Sequence, residues 1–136
     1  MNAYLSIKFA GDDNQEIVEG LCSAVERAGF EVTCTNRDYD DYGRAEPPEQ
    51  GLTDFMFDGI DQASVVLLDA TDKGVGIGIE AGYAAAQHKP IVVLHSEAAV
   101  ELSPTLAELA TQVITYHGFA DLATQLQSLK TRLGAA

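Results

Sequence analysis

Glu80 lies inside GVGIGIEAGYAAAQHKP, residues 74–90, and is the only Asp, Glu, Lys or Arg between Lys73 and Lys89. Gly74, Gly76 and Gly78 alternate with Val75, Ile77 and Ile79 before it. Such glycines let a backbone turn and let a ligand approach main-chain amides. A helix beginning near Gly76 places Glu80 in its first or second turn, where the positive helix end favours an ionised carboxylate. Apolar neighbours act the other way, raising the pKa by desolvation. A carboxylate held partly dry yet ionised suits a nucleophile or a base. The ordinary alternative is a solvent-facing Glu at a helix start, contributing a few tenths of a kcal/mol. The segment is not a dinucleotide fingerprint, because GxGxxG fails at its last glycine whether counted from Gly74 or Gly76. It lacks GK[ST], so it is not a P-loop.

The elements that must hold this segment follow from hydrophobic pattern. AYLSIKF (3–9) reads as a strand, and Asp13 three residues before Glu16 reads as a capping box for a helix. Ile17, Leu21, Cys22, Val25 and Ala28 recur at helical spacing, and Gly29 closes that helix. FEVTCT (30–35) is a second strand, followed by a long acidic loop over 36–53. Loops of that length in a small domain are usually functional or mobile. A helix is expected at about 53–62, then SVVLLDA (64–70) as a buried strand. The glycine-rich helix ends at Lys89-Pro90, and IVVLH (91–95) is the fourth strand. Ser103 caps a helix with Pro104 at its first position. QVITYH (112–117) is a fifth strand, and Phe119, Leu122, Leu126, Leu129 and Leu133 line a closing helix. The alternation predicts one domain over 1–136: a five-stranded parallel sheet with helices on both faces, flavodoxin- or Rossmann-like. Ligands then belong at the carboxyl ends of the strands, which is where Glu80 falls.

Composition narrows the partners. The chain has 136 residues, 46% of them hydrophobic, and a net charge of −13. That charge disfavours nucleic-acid polymers and acidic membrane surfaces. A small phosphorylated ligand stays compatible, because glycine-loop amides and helix N-termini hold anions locally. No stretch approaches the ~20 apolar residues of a membrane span. MNAYLSIKFAGDD lacks the marks of a signal peptide, so a cytoplasmic protein is expected. Cys22 and Cys34 lack CxxC or His/Cys spacing and read as reduced, packed thiols, not zinc ligands.

The run D-x-G-x-G-x-G-x-E-x-G-Y-A-x-A-x-x-K-P, Asp72 to Pro90, resembles the signature of the nucleoside 2-deoxyribosyltransferase family, which includes 2'-deoxynucleoside 5'-phosphate N-hydrolases. DGIDQASVVLL (58–68), the opening strand with Tyr4 and the closing helix agree in order. The resemblance implies cleavage of the N-glycosidic bond of a (2'-deoxy)nucleoside or its 5'-monophosphate. Glu80 maps onto the nucleophile, which forms a covalent deoxyribosyl-enzyme that water or a second base resolves. Tyr4 maps onto the tyrosine that hydrogen-bonds that glutamate. Gly74, Gly76, Gly78 and Asp72 fall in the substrate loop. Ser103, in V-E-L-S (100–103), resembles a serine that reaches a neighbouring subunit's 5'-phosphate. A homodimer or higher homo-oligomer is therefore implied, with no metal or organic cofactor.

The match also has gaps. Met56 stands where the family carries an aspartate before the third strand, with Asp54 and Asp58 two residues to either side. Gly74 replaces the aspartate that transferases place six residues before the nucleophile, with Asp72 nearby. This favours hydrolysis over transfer. The stretch after strand 1 supplies only Lys8 as a cation, so Arg37 and Arg44 become candidates for phosphate and Tyr39 and Tyr42 for base stacking. His95, ending strand 4, is a further candidate. Two other readings stand beside this one. One is a nucleotide-binding module without turnover. The other is a phosphoribohydrolase of the cytokinin-activating type, whose PGGxGTxxE pattern lacks its Pro, paired Gly and Thr here.

Overall fold

The computed structural model describes residues 1–71, 74–99 and 101–135. Five strands alternate with six helical segments: β1 (Asn2–Ser6), α1 (Gln15–Arg27), β2 (Glu31–Cys34), α2 (Thr35–Asp38), α3 (Leu52–Gln62), β3 (Val65–Asp69), α4 (Val75–Ala86), β4 (Ile91–Ser96), α5 (Pro104–Leu109), β5 (Gln112–Tyr116) and α6 (Gly118–Ala135). All pairings are parallel and the strand order is β2-β1-β3-β4-β5, the flavodoxin-like order expected from the alternation. No described helix is long and apolar enough to cross a membrane.

Parallel strands covered on both faces must be apolar on both faces. VVLLD of β3 is buried at every position. Leu5, Leu67, Val92 and Leu94 pack toward α1 and α6. Tyr4, Val66, Leu68, Ile91 and Val93 pack toward α3 and α4. Because side chains alternate along a strand, Tyr4 and Ser6 share the α3/α4 face. That periodicity sets up the site.

Several boundaries differ from the sequence-based expectation. Helix α1 starts at Gln15, and its cap position is Asn14, not Asp13. The Asn14 side-chain amide instead donates to the Lys8 carbonyl at 2.8 Å, tying the loop after β1 to the helix start. Tyr4 is the middle residue of β1, and Ser6 ends the strand. The acidic 36–53 segment is more ordered than a polar loop: it opens with the α2 turn and is pinned by Tyr42, which is buried in the α1-side core. One large ring inserted in the core offsets the polarity of its neighbours. Ser103 caps α5 as expected, its hydroxyl accepting from the Leu106 amide, with Pro104 following.

Helix α3 approaches β1 through Gly59. A Cβ built there would lie 2.8 and 2.9 Å from the Tyr4 ring, and Tyr4 has no room to move because it is fully buried. Gly59→Ala should therefore destabilise the fold by about 1–3 kcal/mol through overpacking, read from urea unfolding midpoints.

Candidate active site

A cavity of about 430 Å³ opens at the carboxyl ends of β1 and β2, beside the start of α4, where the open-sheet rule places ligands. Ser6, Ile7, Lys8 and Phe9 form one wall, and Gly74, Val75, Gly76, Ile77 and Glu80 of the α4 start form another. Thr35, Asn36, Tyr39, Asp40, Leu52 and Met56 close it.

Glu80 is the sixth residue of α4, in its second turn, and only 6% exposed. Its Oε1 accepts a hydrogen bond from the Ser6 hydroxyl at 3.1 Å. Its Oε2 is buried without a hydrogen-bond partner among the described residues. Burial pushes its pKa up to about 7 from 4.5, against the opposing influence of the Tyr4 and Ser6 hydroxyls. One oxygen is thus fixed and the other is dry and unsatisfied. A carboxyl with this pKa changes protonation state near neutral pH.

Tyr4 lies against Glu80, but its hydroxyl makes its short hydrogen bond with Thr35 Oγ1, at 2.6 Å. Tyr4 is thus bonded to Thr35 and also acts on Glu80, whose Oε1 is held by Ser6. Burial, and then the Glu80 charge, raise the Tyr4 pKa far above its ordinary value, so the phenol stays neutral. The sequence reading missed Ser6. The signal was its place two residues after Tyr4 on the same strand face, at the strand's carboxyl end.

The glycines line two hollows, with Gly74 bordering both. Gly74 and Gly76 line the Glu80 cavity, and a Cβ on Gly76 would lie 3.8 Å from Glu80 Oε1. Gly78 lines a neighbouring groove of about 740 Å³ between α4 and α5, together with Ser103. Asp72 lies outside the described residues. Met56 is buried and lines the cavity, whereas Asp54 and Asp58 are exposed on α3 and do not. An apolar thioether thus fills the position where the resemblance implied a carboxylate, and no shift of register brings a neighbour in.

Of the loop candidates, Tyr39 reaches the cavity. Arg37 does not line it. Its guanidinium is committed to Glu26 at 3.0 Å and Asp38 at 2.8 Å, which hold it ionised. Arg44 pairs with Asp41 and sits over the Tyr42 ring, 5.3 Å from its centroid. Tyr42 belongs to the core, and its hydroxyl donates to Glu19. His95 is not among the described lining residues; its Nε2 is buried without a hydrogen-bond partner. Cys22 and Cys34 are free and buried, and the described residues contain no cluster suited to a metal.

The fold and site together define a flavodoxin-like α/β domain with a buried acidic residue at its ligand crevice. No family model matches the sequence, and no curated protein matches it. Solved structures do share the fold. A Clostridium botulinum CMP N-glycosidase, BcmB, superposes with a TM-score of 0.60 at 21% identity, covering 96% of this chain and 99% of that one. BlsM superposes at 0.65 with 22% identity, over 98% and 93% of the two chains. A conserved protein from Enterococcus faecalis V583 superposes at 0.68 with 11% identity, over 95% and 99%.

The raised Glu80 pKa has a consequence for stability. Between pH 4.5 and about 7 the folded chain keeps a proton that the unfolded chain has released, so this group's contribution falls as pH rises through that window. Glu80→Gln removes the penalty and keeps an acceptor for Ser6. Its stability relative to wild type should improve by about 3 kcal/mol between pH 4 and pH 8 in urea unfolding.

Proposed function

We propose that the chain cleaves the N-glycosidic bond of a nucleoside or nucleoside 5'-monophosphate, with Glu80 as nucleophile. The observation that carries this reading is a buried Glu80 on the cavity wall, with one carboxyl oxygen held by Ser6 and the other without a hydrogen-bond partner among the described residues. The Glu80 carboxylate attacks C1' of the sugar. The C1'–N bond breaks and its electron pair leaves with the base. A glycosyl ester of Glu80 remains, and water attacks its C1' to restore the carboxylate. The logic is that of a retaining glycosidase, with an oxocarbenium-like transition state stabilised by the nearby negative charge. The signature resemblance and the shared fold with a CMP N-glycosidase support the same chemistry.

Tyr4 and Ser6 act as positioning residues in this scheme. Ser6 fixes the rotamer of Glu80, and neutral Tyr4 braces Thr35 and the carboxylate from below. Hydrolysis is favoured over transfer, because Gly74 replaces the aspartate that the transferases carry six residues before the nucleophile, while Ser103 is retained. A 5'-phosphate would meet the amides at the α4 start, where Gly74 is an N-cap without a side-chain cap and no acidic residue occupies the first turn. Ser103 lies in the α4–α5 groove, so its contribution to a phosphate requires a second copy of the chain docked on that apolar face. We place the homo-oligomer contact there.

A second reading is a binding module for the same ligands. The apolar Met56 wall favours it, since no described carboxylate replaces the family aspartate there. Base release from ribo- and deoxyribonucleosides and their 5'-monophosphates, with and without an acceptor base, separates the two. Glu80→Ala should lower release by about 1000-fold or more, as removal of a covalent nucleophile does. Wild-type kcat/KM should climb as pH rises through about 7, because the ionised carboxylate is the attacking form. Ligand binding without release, unchanged in Glu80→Ala, selects the binding module.

A further inference from the structure

We infer that Asp40, flanked by Tyr39 and Phe9, selects nucleobases that present an exocyclic amino group. This rests on the N-glycoside reading for the identity of the ligand, and deepens it to a base class. Among the described residues that line the cavity, Glu80 and Asp40 are the only carboxylates. Glu80 sits on the α4 wall, with the sugar chemistry. Asp40 sits on the 36–53 segment.

The backbone that carries Asp40 adopts a costly shape. Asp41, Tyr42 and Gly43 have φ values of 49°, 61° and 85°, three successive residues in the left-handed region, two of them not glycine. Such strain persists only where the surroundings impose it. The turn is closed by Gly43 N–H to the Asp40 carbonyl at 3.1 Å and to Asp40 Oδ1 at 3.0 Å. It is anchored by the Tyr42 amide donating to the Asn36 carbonyl at 2.8 Å and by the buried Tyr42 ring. Asp40 Oδ1 is therefore fixed by the turn, and Oδ2 makes no hydrogen bond to a described residue. A carboxylate accepts hydrogen bonds and cannot donate them.

Two aromatic rings flank this acceptor. Tyr39 precedes it, its orientation set by an edge contact with Phe55 at 5.2 Å and by its hydroxyl donating to the Gln50 carbonyl at 3.1 Å. Phe9 is 59% exposed, and its ring tip lies 3.6 Å from where a Gly43 Cβ would be. Both rings line the cavity. Aromatic faces stack on any base, whereas an acceptor-only carboxylate discriminates. It bonds the amino group of cytosine or adenine and repels the carbonyl at the equivalent position of uracil or hypoxanthine.

The test is calorimetric binding of cytidine, uridine, adenosine and inosine 5'-monophosphates to Glu80→Gln, which holds ligand without turnover. Amino bases should bind at least about tenfold more tightly than their carbonyl counterparts, the range of a hydrogen bond to a charged group. In Glu80→Gln/Asp40→Asn the preference should collapse to about twofold or less, because an amide both donates and accepts. Asn keeps the turn, and an unchanged thermal midpoint verifies this. Phe9→Ala should weaken all four ligands alike. Equal affinities in Glu80→Gln, or a preference that survives Asp40→Asn, would overturn the inference. Wild-type turnover keeps the two claims apart. Base release without amino preference leaves the glycosidase reading standing and removes this one. Amino-selective binding without release does the reverse.

Discussion

The rest of the site depends on keeping one carboxyl group out of water. Transferring an ionised carboxylate into an apolar wall is expensive unless hydrogen bonds or a raised pKa compensate. Here both occur, and only in part. Ser6 satisfies one oxygen, the pKa rises to about 7, and the second oxygen has no hydrogen-bond partner among the described residues. A protein gains no stability from such an arrangement. The same dryness strengthens any electrostatic contact made at that carboxylate.

The neighbouring sequence follows from that constraint. No other charged residue occurs in α4, so nothing on the helix competes for or screens the Glu80 charge. Gly74 and Gly76 keep the wall beside it free of side chains. Tyr4 fills the space beneath, and Gly59 exists without a Cβ so that α3 can close over that ring. On the opposite wall, a strained turn anchored by Tyr42 holds Asp40 at the cavity. Helix α4 and strand β1 carry Glu80 and Ser6, whereas a loop carries Asp40.

Much of the architecture was legible because buried parallel strands write themselves as uninterrupted apolar runs. VVLL and IVVL could be little else, and the Gly-Glu-Gly segment after the third strand marked the crevice. Side-chain pairings were harder to read. The Tyr4 hydroxyl bonds Thr35 as well as acting on Glu80, and that second partner, brought in by the turn after β2, is not visible in the signature. Ser6 was overlooked although period-two alternation puts it on the right face. Arg37 and Arg44 looked like phosphate ligands by charge alone. In a chain of net charge −13, each finds an acidic neighbour within its own loop or on α1 first. Tyr42 shows the limit of composition: an aromatic in a polar stretch proved to be a core anchor.

The central claim is that Glu80 forms a bond to the sugar. The direct measurement is mass spectrometry of the peptide containing residues 74–89, from protein quenched in acid during turnover of 2'-deoxycytidine and cytidine 5'-monophosphates. The account predicts a glycosyl adduct on Glu80 in wild type and none in Glu80→Gln. Base release with no adduct on Glu80, or with an adduct on another side chain, would contradict it.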